Sequence, residues 1–185
     1  MEMHGEQRIP TNQQAVWDGL NDLEVLKACI AGCESIERVT ESEHHVTLTA
    51  AVGPVKAKFK GKMHLEDLNP PNSYRIRFEG QGGVAGHAKG DAAVSLKADG
   101  AVTLMSYTVH AQVGGKLAQV GSRLIDAAAK KIADDFFSAF NARVAPAPSE
   151  AGAESTPAPA ASGIPAWVWV AGGAVALVLI YFATR

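Results

Sequence analysis

Ser106, His110, Ser122 and Asp126 are the residue types of a nucleophilic triad, in which a histidine takes the serine proton and a carboxylate orients the histidine. Their spacing argues against that chemistry. Ser106 and His110 fall on the strand face opposite Tyr107, and no nucleophile elbow precedes either serine. The six histidines (His4, His44, His45, His64, His87 and His110) have no HExxH or CxxC company. Cys29 and Cys33 could share a helix face, but a structural zinc takes four ligands and the chain has no second cysteine pair. Small buried thiols are expected instead. The run Gly80-Gln81-Gly82-Gly83-Val84-Ala85-Gly86 has the glycine density of a dinucleotide loop, yet an alternating strand follows it where that loop requires a helix. A glycine-hinged flap at a cavity mouth is the functional reading, and an ordinary hairpin loop is the alternative. No catalytic set and no metal set emerges, so the chain is expected not to be an enzyme.

What remains is binding chemistry. Lys56, Lys58, Lys60 and Lys62 alternate with apolar residues and form a basic stripe on one face of a strand. That stripe is either a solvated face or a contact for an acidic partner or anionic headgroups. The opposite face, and the helix expected to cross it, supply apolar and aromatic side chains suited to a flat apolar ligand. The expected cavity-lining residues are Phe59, Met63, Phe78, Val84, Tyr107, Leu117, Gly121, Leu124, Ile125 and Ala128. Plain core packing is the competing reading of the same set.

The elements that must position these residues follow from periodicity. Met3–Ile9 reads as an edge strand. Pro10-Thr11-Asn12 offers turn and cap chemistry before a helix carrying Ala15, Val16, Leu20 and Leu23, and a second short helix covers Glu24–Ala31 up to Gly32. Period-two alternation then marks strands through Val46–Val52, Val55–Leu65, Tyr74–Phe78, Ala88–Leu96 and Met105–Val113, with turn signals at Gly53-Pro54, Pro70-Pro71-Asn72 and Asp99-Gly100. From Lys116 to about Val144 the period becomes helical, and one long helix is expected. The class is α+β: a curved antiparallel sheet of about six strands after two short helices, wrapped on a long C-terminal helix. Small residues at inward positions (Ala57, Gly61, Gly90, Ala92, Gly121 and Ala128) either bring the layers together or leave space between them.

Composition divides the 185 residues into three parts. Residues 1–144 read as one ligand-binding domain. Residues 145–163, APAPSEAGAESTPAPAASG, lack large apolar side chains and read as a disordered Ala/Pro-rich linker. Residues 164–184 carry an uncharged apolar run of the length that crosses a bilayer, with Trp167 and Trp169 at one end and Tyr181 and Phe182 at the other. A single transmembrane helix is expected there. The segment Met1–Pro10 is polar and lacks an apolar run, so the domain is expected on the cytoplasmic side of the inner membrane with reduced thiols. With 17 basic and 19 acidic residues, the net charge of -2 does not point to nucleic acid.

The order of elements resembles the helix-grip fold of START-like proteins. The stretches WDGLNDLEVLKACIAGCE, VGPVKAKFKGKMHLEDLNPPNSY, GQGGVAGHAKGDA and QVGGKLAQVGSRLIDAAAKKIADD are similar to the carbon monoxide dehydrogenase G-subunit family. The chain departs from that family's usual prolines at Leu23 and Ala31, at helix ends, where nothing functional is in doubt. The resemblance implies an accessory protein that recruits a molybdenum hydroxylase, carbon monoxide dehydrogenase, to the cytoplasmic membrane. It also implies a respiratory quinone, ubiquinone or menaquinone, held in the cavity so that electrons reach the respiratory chain. A tether or assembly scaffold without ligand, and a START-like lipid-binding protein or enzyme of another substrate, are the alternatives.

Overall fold

The computed structural model describes residues 1–145. The chain runs β1 (Glu2–Ile9), α1 (Gln13–Asn21), α2 (Leu23–Cys29), β2 (Cys33–Arg38), β3 (Glu43–Val52), β4 (Val55–Asn69) and β5 (Ser73–Gln81). It continues with a single 3₁₀ turn at Gly83–Ala85, then β6 (His87–Asp99), β7 (Val102–Gly114), α3 (Lys116–Gln119) and α4 (Ser122–Val144). The seven strands form one antiparallel sheet in the order β1-β7-β6-β5-β4-β3-β2. β1 therefore lies at one edge, as its sequence suggests. Five of the six strands that follow the helices are legible as alternating runs; β2 is not.

Local chemistry explains the short helices. The Asn12 carboxamide oxygen accepts from the Ala15 amide at 2.9 Å and starts α1. The Asp22 carboxylate accepts from the Glu24 and Val25 amides at 2.8 and 3.2 Å and starts α2 without a break in the chain. Gly32, at φ 74°, turns the chain into β2. Cys33 therefore belongs to a strand and shares no helix face with Cys29, which is buried at the end of α2.

The expected single long helix is two helices. Gly121, at φ 91°, interrupts it in a backbone conformation open to glycine and disfavoured for other residues. The first piece, α3, buries Leu117; the second, α4, crosses the sheet. Burial along α4 is lopsided. Phe137 and Phe140, in its C-terminal half, are its buried residues, while no residue of Ser122–Ile132 is buried. The C-terminal half joins Ile9, Val16, Trp17, Leu20, Tyr74, Val94, Leu96 and Met105 in the core. The N-terminal half stands off the sheet.

The expected linker and transmembrane segment lie, from residue 146 onward, outside the described residues. Among the described residues, no helix is long and apolar enough to cross a membrane.

Candidate functional site

The space beneath the N-terminal half of α4 is a cavity of about 570 Å³. One wall is the row of inward residues on β3, with Phe59 and Met63 on β4 and Phe78 on β5. β7 contributes Tyr107, Val109 and Val113, and the roof is Leu117 with Ile125, Ala128, Ala129 and Ile132. Nearly every side chain facing the space is apolar. Small-molecule sites fall in a range of roughly 300–1,000 Å³ with walls of this kind. The small residues explain the room. Ala128 and Ala129 keep the helix face short, and Gly61 removes a side chain from β4.

A second chamber of about 240 Å³ adjoins it, between the sheet and the α1–α2 pair. Ile30, Met63, Tyr107, Val109 and Phe136 line both spaces. Leu20, Leu26, Leu65, Tyr74, Met105, Asn21 and His44 are among the other residues that line the smaller one.

Of the residues expected from the sequence to line a cavity, Phe59, Met63, Phe78, Tyr107, Leu117, Ile125 and Ala128 are on the wall of the larger space. Three others stand elsewhere. Val84 points to solvent from the 3₁₀ turn, at 84% exposure. Gly121 is the joint between α3 and α4, and Leu124 lies in the first turn of α4, half exposed, beside Ile125 on the wall. A single helical phase carried across the Gly121 break misplaces Gly121 and Leu124, and Val84 belongs to the glycine-rich run read as a flap at a cavity mouth.

The glycine-rich run forms a close-packed corner. Gly82 lies against the ring of Phe59, and a side chain there would overlap that ring. Gly86 packs backbone to backbone on Gly114 and Gly115, and Ala85 is buried. Gly82 and Gly86 thus serve close approach, Gly82 against Phe59 on the cavity wall, while Gly80 and Gly83 have open space around them.

The lysine stripe is on the face away from α4. Lys56, Lys58, Lys60 and Lys62 are all exposed on β4. Lys58 ion-pairs with Glu34 of β2 at 2.7 Å, and that bond holds the Glu34 carboxyl below its usual value. Ser106 and His110 also face outward and are exposed, with the His110 ring 3.5 Å from Glu2 and 3.7 Å from Asp91. Ser122 and Asp126 are on α4, beyond the opposite face of the sheet, so these four residues do not meet. Among the described residues, no three His, Cys, Asp or Glu side chains gather in metal-binding geometry.

One residue escapes the sequence reading. His44 is 5% exposed, and its Nδ1 is buried with no hydrogen-bond partner among the described residues. Burial, with a smaller contribution from Arg38, pushes its pKa down and favours the neutral ring. The signal is present in the chain: the alternation Val46, Leu48, Ala50, Val52 extends backward by one step to His44.

The fold is that of START-like, helix-grip proteins. A conserved protein of Geobacillus kaustophilus superposes with a TM-score of 0.74 at 29% identity, over 78% of this chain and 95% of that one. A START superfamily protein of Mycobacterium smegmatis superposes at 0.59 and 12% identity, over 77% and 96%. The Zhui aromatase/cyclase of a Streptomyces species superposes at 0.54 and 11%, over 78% and 93%. The last two likenesses establish fold alone. No curated protein matches the chain. The model of the carbon monoxide dehydrogenase G-subunit (CoxG) family matches residues 5–145, the whole of the sheet-and-helix body but for its first four residues, and the chain belongs to that family.

Proposed function

We propose that this protein is a membrane-tethered accessory subunit that holds a respiratory quinone in its apolar cavity and brings a molybdenum hydroxylase, carbon monoxide dehydrogenase or a relative, to the cytoplasmic membrane. The observation that carries the reading is the cavity of about 570 Å³ roofed by the unpacked half of α4 and walled by apolar side chains. A folded domain ordinarily fills such space, because dispersion contacts are lost along every empty wall. An apolar guest restores them.

The rest of the chain supports the same role. Family membership links it by name to a dehydrogenase. The uncharged run within residues 164–184 is of membrane-crossing length, and the Ala/Pro-rich run before it suits a tether. Lys56, Lys60 and Lys62 are exposed basic groups available to an acidic enzyme surface or to anionic lipid. In this reading the protein binds and presents the quinone, and the redox chemistry belongs to the enzyme it recruits.

Titration of ubiquinone and menaquinone into the purified protein tests the ligand. A guest that binds only the native state raises the unfolding midpoint in proportion to the logarithm of its concentration. A midpoint unmoved by both quinones would leave a tether or assembly scaffold.

A further inference from the structure

We propose that His44 is the polar anchor of the cavity, a specificity-determining residue that hydrogen-bonds the carbonyl or hydroxyl head of a linear amphiphile whose apolar tail lies along β3 toward Val52. This rests on the quinone reading above and deepens it. It assigns the ligand an orientation and names the side chain that selects for a polar head.

The first support is the inner row of β3. His44, Val46, Leu48, Ala50 and Val52 alternate onto one face, and His44 is the single polar side chain among the five. His44 lines the smaller chamber, and the other four line the larger one. At about 3.3 Å per strand residue the row is about 26 Å long. The inner row of β3 therefore presents one polar point at one end of a long apolar track, which is the pattern of a ligand with a small polar head and an extended hydrocarbon tail.

The second support is the unmet hydrogen-bonding capacity of the imidazole. Buried polar groups nearly always have partners, and one without a partner is costly in an apolar setting. His44 shares its chamber with Leu20, Leu26, Met63, Leu65 and Ile76, and with Asn21, Tyr74 and Tyr107 as the residues that carry a polar tip. Two polar groups nearby are already engaged. The Asn21 carboxamide donates to the Trp17 carbonyl at 2.8 Å, and the Arg38 guanidinium donates to the Asn21 carbonyl at 3.3 Å. A neutral imidazole offers one donor and one acceptor, so it serves the carbonyl of an oxidised head and the hydroxyl of a reduced one. A site with a buried hydrogen-bonding group discriminates strongly against an analogue that lacks the complementary atom, because the group is then left unpaired.

The third support is the volume. The chamber at His44 holds about 240 Å³ and the adjoining one about 570 Å³, which matches a compact head and a bulkier tail.

The test compares two probes on the full-length protein in detergent micelles. One is a menaquinone bearing a two-unit isoprenoid tail. The other is the naphthalene of the same tail without carbonyl groups. The wild type should prefer the quinone by about tenfold, the worth of one buried hydrogen bond. His44→Leu should bind the two probes alike, with unchanged affinity for the hydrocarbon, and His44→Gln should retain part of the preference. In the wild type the infrared carbonyl stretch of the ¹³C-labelled quinone should move to lower frequency, and in His44→Leu it should return. A quinone that binds wild type and both variants equally, with one unshifted carbonyl band, would overturn the anchor and leave the quinone reading standing. Binding of neither probe to the wild type would overturn the quinone reading, and the anchor with it.

Discussion

The ring of Tyr107 on β7 stacks on Phe137 of α4, with centroids 5.3 Å apart and planes inclined by 27°. This pair divides the concave face of the sheet. On one side Phe140 continues the aromatic packing into the core by way of Phe136, whose ring also borders both chambers. On the other the same helix runs above open space. β1 makes room for the pair at Gly5, the cross-strand partner of Tyr107, where any side chain would collide with the tyrosine ring.

Stability and binding should therefore separate along α4 and the sheet beneath it. Phe137→Ala removes a buried ring that stacks on Tyr107 and also borders the larger cavity, and should cost about 3–5 kcal/mol of stability together with some quinone affinity. Phe59→Ala removes a half-buried ring from the cavity wall. It should cost much less stability, about 1 kcal/mol, while lowering quinone affinity. Chemical denaturation and ligand titration of the two variants measure the separation. Equal losses of stability would place Phe59 in the packed core.

Filling the cavity from its roof should have the opposite signature. Ala128 faces the larger space from α4, so Ala128→Phe places a ring where a guest would lie. Stability should hold or rise by up to about 2 kcal/mol, as cavity-filling substitutions do, and quinone binding should be lost. A variant that unfolds readily would show that the space is too small for a ring.

Acid should weaken the fold through His44. Its folded-state pKa lies below the ordinary 6.5, chiefly through burial. Just below pH 6.5 the unfolded chain therefore takes up a proton that the native chain refuses, and stability falls as pH drops from there toward the folded value. His44→Leu should flatten that part of the curve, and should gain stability at neutral pH by removing an unpaired polar group. Urea midpoints at pH of about 7.5 and about 5.5 for both proteins test the sign. Parallel decreases would assign the pH dependence to other groups.

Recruitment should depend on charge and on the C-terminal segment. Replacing Lys56, Lys60 and Lys62 with Glu should weaken retention of the dehydrogenase on membranes, with the difference shrinking as salt rises. Lys58 is left in place because its ion pair with Glu34 joins β4 to β2. A chain ending at residue 145 should remain in the supernatant after sedimentation of membranes. Persistence of that shorter chain in the pellet at high salt would contradict a tether in residues 164–184.

The sheet is readable because β4 alternates strictly between apolar and polar residues from Val55 to Glu66 and β3, β5, β6 and β7 alternate over most of their length, and the same alternation places Phe59, Met63, Phe78 and Tyr107 on one face. β2 is unreadable from CESIER, whose buried residue is Ile36 alone, with no second apolar position to set a phase. The helix beginning at Lys116 keeps an apolar period through Gly121, so periodicity runs across a break that only the backbone angle reveals. Leu124 and Gly121 are misplaced for that reason, and Val84 because the 3₁₀ turn expected as a flap over the cavity turns that side chain to solvent. His44 is passed over because a histidine interrupts an apolar pattern that it in fact continues. Whether small inward residues close a gap or leave one depends on the distance between layers, which composition does not encode.

The most direct measurement is mass spectrometry of the solvent extract of the full-length protein purified from membranes of its native host. An isoprenoid quinone is expected in near-stoichiometric amount, reduced by Ala128→Phe. An extract without quinone, from protein that also shows no shift in unfolding midpoint with added ubiquinone or menaquinone, would contradict the binding role.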